Sequence, residues 1–205
     1  MKHGWFVTFE GIDGSGKTTQ WKLTEKYLRK CGYDLLALRE PGSTALAERI
    51  RKILLDKKLA ITPVAELNLY LAARAGLVQE VIAPALKQGR VVVCDRFYDS
   101  TTAYQGYGRG LDIALIRKLN ALAVGSCIPD LTFLVDVDYA TSLSRRKKTS
   151  DRLESESRAF FKRVREGFLE IARKNKKRVV VLDGRTSVDE LFAEVRAWLN
   201  RRLTI

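Results

Sequence analysis

The sequence predicts a three-layer α/β/α fold around a five-stranded parallel sheet. Two observations carry that expectation. Five short apolar segments alternate with helix-patterned segments along the whole 205-residue chain. The third, "RVVVCD", holds a continuous apolar run, not the alternating pattern of a half-exposed sheet, as expected of a parallel strand covered on both faces. No linker, repeat or low-complexity stretch divides them, so residues 1–205 read as a single domain.

Each element follows in order. "WFVTFE" (5–10) reads as the first strand and runs into a glycine-rich loop. The next helix carries Leu23, Tyr27, Leu28 and Cys31 on one face and stops at Gly32. "DLLALRE" (34–40) is the second strand and "ALAERIRKILL" (45–55) a helix. A long helix opens with Thr62 as N-cap and Pro63 in its first turn; Pro84 is expected to kink or restart it, and Gly89 to end it. "RVVVCD" (90–95), "LTFLVDV" (131–137) and "RVVVLD" (178–183) supply the other strands. Helices open at Asp112, Asp138 and Ser187, the last through a capping box with Glu190.

Composition narrows the function classes. With 46% hydrophobic and 30% charged residues the chain is globular, not disordered. No apolar run approaches membrane-spanning length and "MKHGWFVTFEG" lacks a signal-peptide pattern, so a soluble, cytoplasmic protein is expected. Cys31, Cys94 and Cys127 are odd in number, far apart and without CxxC spacing; they read as small buried residues, not as a disulfide framework or a zinc site. The single histidine, His3, stands at the N-terminus, which disfavours a histidine base or a histidine-rich metal site. A net charge of +13 predicts attraction to polyanions, nucleotides among them.

"GIDGSGKT" (11–18) matches the phosphate-binding pattern G-x-x-x-x-G-K-[ST] between a predicted strand and a helix. Gly11, Gly14 and Gly16, with Ile12, Asp13 and Ser15 between them, leave backbone N–H groups to wrap phosphate oxygens at a helix N-terminus. Lys17 can reach the β- and γ-phosphates, and the Thr18 hydroxyl can ligate Mg²⁺. A nucleoside triphosphate site follows. The third strand ends in Asp95, placed to act near the metal or its waters, and Arg96 follows at the carboxyl edge where ligands bind in such sheets; taken alone, the pair could equally be a structural ion pair. Guanine-reading "NKxD" is absent, and no "DxxG" follows the third strand.

Six stretches then make the chain resemble the thymidylate kinase family: "FEGIDGSGKTTQ" (9–20), "REPGSTALAERIRKILL" (39–55), "LNLYLAARAGLVQEVIAPALKQG" (67–89), "VVVCDRFYDSTTAYQGYGRG" (91–110), "PDLTFLVDV" (129–137) and "DRLESES" (151–157). The resemblance implies the P-loop NTPase fold, transfer of the γ-phosphoryl group of ATP to dTMP in dTTP biosynthesis, Mg²⁺ as cofactor and a homodimer. It implies that Tyr70 stacks on thymine and Arg74 hydrogen-bonds the base; as an i,i+4 pair they can share a helix face. It further implies that Thr101 and Gln105, an i,i+4 pair if "DSTTAYQ" (99–105) is helical, read the polar edge of the pyrimidine, that Tyr104 lies against the sugar, and that Arg51 and Arg96 hold the dTMP phosphate. Pro41 would line the pocket near the thymine methyl, while Asp13 and Glu40 position sugar, phosphate or metal.

The acceptor in such a reaction is a phosphate monoester, largely dianionic at neutral pH, so no side chain has to deprotonate it. Catalysis then needs closeness, in-line geometry and cations. Some relatives carry an arginine inside the P-loop where this chain has Gly14; the others place arginines in a lid. A mobile lid around 143–154 is expected here, with Arg145, Arg146 and Arg152 as catalytic candidates and Lys147 and Lys148 as supporting charge. Many bacterial relatives also read "REPGGT" where this chain has Ser43. Two rivals stand beside this reading: a broader pyrimidine kinase, and a P-loop regulator or nucleic-acid-binding module using "RRKK" (145–148), "RKNKKR" (173–178) and "RR" (201–202). No aromatic stacking motif is interleaved with those runs, so they read as solvated faces, and no nucleic-acid partner is expected.

Overall fold

The structure, a computed structural model, describes residues 4–146 and 152–203. His3, Lys147, Lys148 and Asp151 lie outside the described residues. Five parallel strands, β1 (Phe6–Glu10), β2 (Leu35–Arg39), β3 (Val91–Asp95), β4 (Leu131–Asp136) and β5 (Val179–Asp183), form one sheet in the order β2-β3-β1-β4-β5. Side chains alternate across it. Val7 and Phe9 of β1 join Leu28 of α1 (Lys17–Lys30) and Leu191, Val195 and Leu199 of α9 (Val188–Leu203) on one face. Phe6 of the same strand packs on the other, with Leu77 of α3 (Pro63–Leu77) and Val92. Phe161, Val164 and Phe168 of α8 (Arg158–Lys174) cover Leu134 of β4 on that side. The chain leaves β1 and β3 toward opposite edges, and their paired ends, Phe9 beside Asp95, make the crevice where ligands bind in open α/β sheets.

The expected caps are present at Thr62, Asp112, Asp138 and Ser187. Three local expectations are corrected. The inner face of α1 is Lys17, Gln20, Thr24 and Leu28, and Cys31 is exposed, whereas Cys94 and Cys127 are buried. The P-loop turns Lys17 inward, which fixes the rotation of the helix and brings polar Gln20 and Thr24 inside. Pro84 does not restart the long helix: α3 passes through a π-helical turn, Val78–Ile82, into α4 (Ala83–Lys87). The Ala83 N–H donates to the Val78 carbonyl, and this wider turn accommodates the proline ring without ending the helix. The resulting helix, Pro63–Lys87, is 25 residues long and contains an 18-residue window of mean hydropathy 1.2, enough by length and composition to cross a membrane. It is a core helix all the same, lying between α2 (Ala45–Leu55) and α6 (Ile113–Val124) with the buried charges Glu66 and Arg74 on it. Finally, "DSTTAYQ" is only partly α-helical, as α5 (Tyr98–Thr101), and continues as a π-helix over Thr102–Gly108.

Ser43 has φ +71. Its hydroxyl bridges the N–H and carbonyl of Arg39, and its N–H donates to Glu48. The left-handed conformation costs a residue with a Cβ roughly 1–2 kcal/mol, which the Ser43 hydroxyl partly offsets. Ser43→Ala keeps the cost and loses the hydroxyl, so thermal unfolding should rank Ser43→Ala below both the parent and Ser43→Gly, by roughly 2–6 °C. Equal Tm values for the alanine and glycine substitutions would refute the strain.

Candidate active site

The phosphate loop joins β1 to α1. Gly14 (φ +77) and Gly16 (φ +98) take left-handed conformations, and a Cβ on Gly14 would run into the Ser142 carbonyl. Position 14 is therefore closed to an arginine while α7 (Tyr139–Arg145) packs there. Gly16 caps α1 with open space above it. Ile12 plugs the loop into the core at 2% exposure. Lys17 is buried, its Nζ 3.5 Å from Asp13 Oδ1; burial, then Arg96, push its pKa down against the pull of Asp13. Thr18 Oγ1 donates to Asp95 Oδ2 at 2.6 Å, and Asp95 Oδ1 is buried without a partner among the described residues. A hydroxyl beside an unsatisfied carboxylate oxygen fits Mg²⁺, which takes one or two protein ligands and keeps phosphate oxygens and water for the rest.

Arg96 is the hub of the site. It begins the loop after β3 with φ +71, its N–H donating to the Phe9 carbonyl at 2.9 Å. That conformation turns the guanidinium back over the phosphate loop. Nη1 donates to the Gly11 carbonyl and Ser100 Oγ, both 3.0 Å, and Nη2 to Asp13 Oδ1 at 2.6 Å. The Tyr104 ring lies 5.2 Å beneath the guanidinium, and the Tyr104 hydroxyl donates to Asp13 Oδ2. Burial raises the Asp13 pKa, but Arg96 and then Lys17 outweigh it and hold the carboxyl well below the usual range. Behind Arg96, burial and Asp99 push Glu10 up to about 8, opposed by Ser100. Glu10 in turn accepts from the N–H groups of Phe97 and Ser100 and from Ser100 Oγ, fixing the turn that carries Arg96.

A pocket opens beside this hub, and the predicted acceptor residues converge on it: Asp13, Glu40, Pro41, Arg51, Tyr70, Arg74, Arg96, Thr101, Tyr104 and Gln105 all line it. Arg74 is 2% exposed. Its Nε and Nη2 both bind Glu40 Oε2, at 2.8 and 2.6 Å, and Nη1 donates to Thr101 Oγ1 and Asn120 Oδ1. Most of its donors thus organise the pocket wall. Glu40 Oε1 is buried and unpartnered among the described residues, and burial raises the pKa of that carboxyl against Arg74. Arg51 Nη1 holds the Pro41 carbonyl at 3.0 Å. Burial lowers the pKa of Arg51, with Arg39 adding to it.

The arginines of the expected lid part company. Arg146 stacks on Phe161 at 3.9 Å and donates to Ser142 Oγ at 2.7 Å, while Ser142 Oγ donates to the Asp13 carbonyl at 2.6 Å. Arg145 reaches the Gly184 carbonyl at 2.7 Å. Both line the larger cleft over the phosphate loop, with Lys17, Thr18, Arg185 and Val188. Arg152 is not brought there. It donates to the Leu54 carbonyl and to Glu66 Oε2, on the acceptor side, because the buried Glu66 carboxylate offers it a partner. Sequence reasoning passed over Glu66, Asn120 and Ser142. Glu66 had a visible signal: with Tyr70 and Arg74 it forms an i, i+4, i+8 stripe on α3.

Residues 9–195 match the family model described as thymidylate kinase. The thymidylate kinase of Kosmotoga olearia is 47% identical over 192 residues, 93% of this chain and 92% of that protein. That of Deinococcus radiodurans is 46% identical over 204 residues, covering 98% and 99% of the two. The crystal structure of thymidylate kinase from Ehrlichia chaffeensis superposes with a TM-score of 0.82 at 39% identity, across 96% of this chain and 99% of that one.

Proposed function

The chain belongs to the thymidylate kinase family and is a dTMP-phosphorylating enzyme, and we propose that it moves the γ-phosphoryl group of ATP between two clefts that meet at Asp13. That meeting is the observation that carries the reading. Asp13 lines both the large cleft over the phosphate loop and the smaller pocket with Tyr70, Arg74 and Gln105. A donor in the first and an acceptor in the second would face each other across Asp13, Lys17 and Arg96.

The chemistry suits these residues. Lys17 and the loop N–H groups would hold the β- and γ-phosphates, and Thr18 and Asp95 would hold Mg²⁺, which supplies charge neutralisation when bound. Arg96 and Arg51 would bind the dTMP phosphate, and the unpartnered Glu40 Oε1 can accept from a sugar hydroxyl. Tyr70 offers the flat face for thymine, and Tyr104, held by Asp13, fills the sugar side. The dianionic acceptor needs no base, so positioning and cations do the work. Exposed Leu46, Ile53 and Val64 on α2 and the N-terminal turn of α3, with Leu115 and Leu122 on α6, support a homodimer through these neighbouring helices. The buried charges of Pro63–Lys87 support a core helix of a soluble enzyme and not a membrane span.

A coupled assay with ATP, Mg²⁺ and a panel of acceptors tests the reading: dTMP should be preferred over UMP, CMP and thymidine, and parity among them would defeat it. Within the lid, Arg146 is the better catalytic candidate because, from its stacked seat on Phe161, it reaches the phosphate loop through Ser142, whose hydroxyl binds the Asp13 carbonyl. Arg146→Ala should lower kcat by about a hundredfold and KM for dTMP far less, with Arg145→Ala milder. Full activity in the double variant would remove the lid from the mechanism.

A further inference from the structure

Behind the acceptor pocket sits Glu66, in the first turn of α3, fully buried. Its Oε1 accepts from Gln105 Nε2 at 2.7 Å and Arg109 Nε at 3.2 Å. Its Oε2 accepts from Arg109 Nη2 at 3.1 Å and Arg152 Nη2 at 2.5 Å. Burial raises the pKa of this carboxyl, but the hydrogen bonds from Arg109, Gln105 and Arg152 outweigh it and hold the group ionised. An ionised carboxylate only accepts. The side-chain amide of Gln105 has one donating and one accepting end, so the donating end must face Glu66. Gln105 Oε1 makes no hydrogen bond to any described residue, and it is the end left for the pocket that Gln105 lines.

The neighbouring groups complete a pattern. Thr101 Oγ1 accepts from Arg74, so its own proton is available to a ligand, and Arg74 carries donors only. The pocket edge therefore offers an acceptor at Gln105 beside donors at Thr101 and Arg74. Thymine matches this with its N3–H beside the O4 carbonyl. Cytosine opposes it, with a lone pair at N3 and an amino group at C4.

We propose that Glu66 is a specificity-determining positioning residue, which fixes the Gln105 amide so that the pocket selects a base protonated at N3 over cytosine. The assignment rests on the dTMP reading of the pocket given above. Glu66 also joins this amide to Arg152 and, through Arg109, to Glu156, so base reading and the segment after the lid share one carboxylate.

Kinetics with dTMP and dCMP test it in the intact enzyme. Glu66→Gln can donate as well as accept and releases the constraint. The ratio of kcat/KM for dTMP over dCMP should fall at least about tenfold, mainly through KM for dTMP. Glu66→Asp keeps an acceptor-only group and should hold the ratio near that of the parent even where activity drops. A lower Tm for Glu66→Gln with an unchanged ratio would make Glu66 merely structural and overturn the proposal. The ¹⁵N–¹H signals of the Gln105 side chain in the unsubstituted enzyme give a readout independent of variant folding. One deshielded, exchange-protected proton is expected, and two equivalent, fast-exchanging protons would overturn it. An unsubstituted enzyme that does not prefer dTMP to dCMP would instead defeat the pocket assignment and the selectivity with it, while the amide signals would still report the orientation.

Discussion

Lys17→Ala should lower kcat by roughly three orders of magnitude or more while leaving Tm unchanged or slightly raised. The two halves of that result have separate causes. The ammonium is buried at the phosphate loop, 5% exposed, where burial and Arg96 push its pKa down. The fold works against this charge, and its nearest anion, Asp13 at 3.5 Å, is bound more closely by Arg96 at 2.6 Å. Removing the ammonium thus relieves a desolvated cation without orphaning Asp13. In the transfer proposed above the same cation would face the β- and γ-phosphates, and its charge would act there on the transferring group. Steady-state turnover with thermal unfolding on the same preparation checks both halves. Activity within tenfold of the parent would exclude Lys17 from the reaction.

Each of the five predicted segments contains an observed strand, and the inner ones were the most legible because parallel strands covered on both faces are largely apolar throughout. The phosphate loop was legible for a related reason: its glycines are required by backbone geometry, not by distant partners. What stayed hidden depends on groups remote in sequence. The passage through Pro84 needs a π-helical turn that starts at Val78, and no local propensity announces it. Cys31 looks like part of an apolar face until Lys17 fixes which face of α1 is inside. Arg152 belongs by position with Arg145 and Arg146, yet Glu66, 86 residues away, draws it to the acceptor side. Glu66 itself was readable as the first member of a stripe with Tyr70 and Arg74. Its role was not, since that rests on Gln105, Arg109 and Arg152 arriving from elsewhere.

Arg96→Ala should lower kcat/KM for dTMP by about 10³-fold, the second large effect expected of this site. Three features make the residue hard to replace. Its φ of +71 is the conformation that returns the side chain over the loop, so the backbone has accepted strain to aim it. Its two terminal nitrogens hold the Gly11 carbonyl, Ser100 and Asp13 while the Tyr104 ring supports the guanidinium from below. And its loss takes from the part-buried Asp13 carboxylate its shortest partner, leaving the Tyr104 hydroxyl at 3.1 Å and Lys17 at 3.5 Å. Arg96→Lys restores a charge without the planar fork and should recover only part of the activity. The strain can be separated from the chemistry. Arg96→Gly adopts a positive φ freely, so its Tm should exceed that of Arg96→Ala by roughly 2–6 °C although both are inactive. Equal Tm values would remove the strain, and an Arg96→Ala enzyme within threefold of the parent would show that the guanidinium serves Asp13 alone and never the acceptor phosphate.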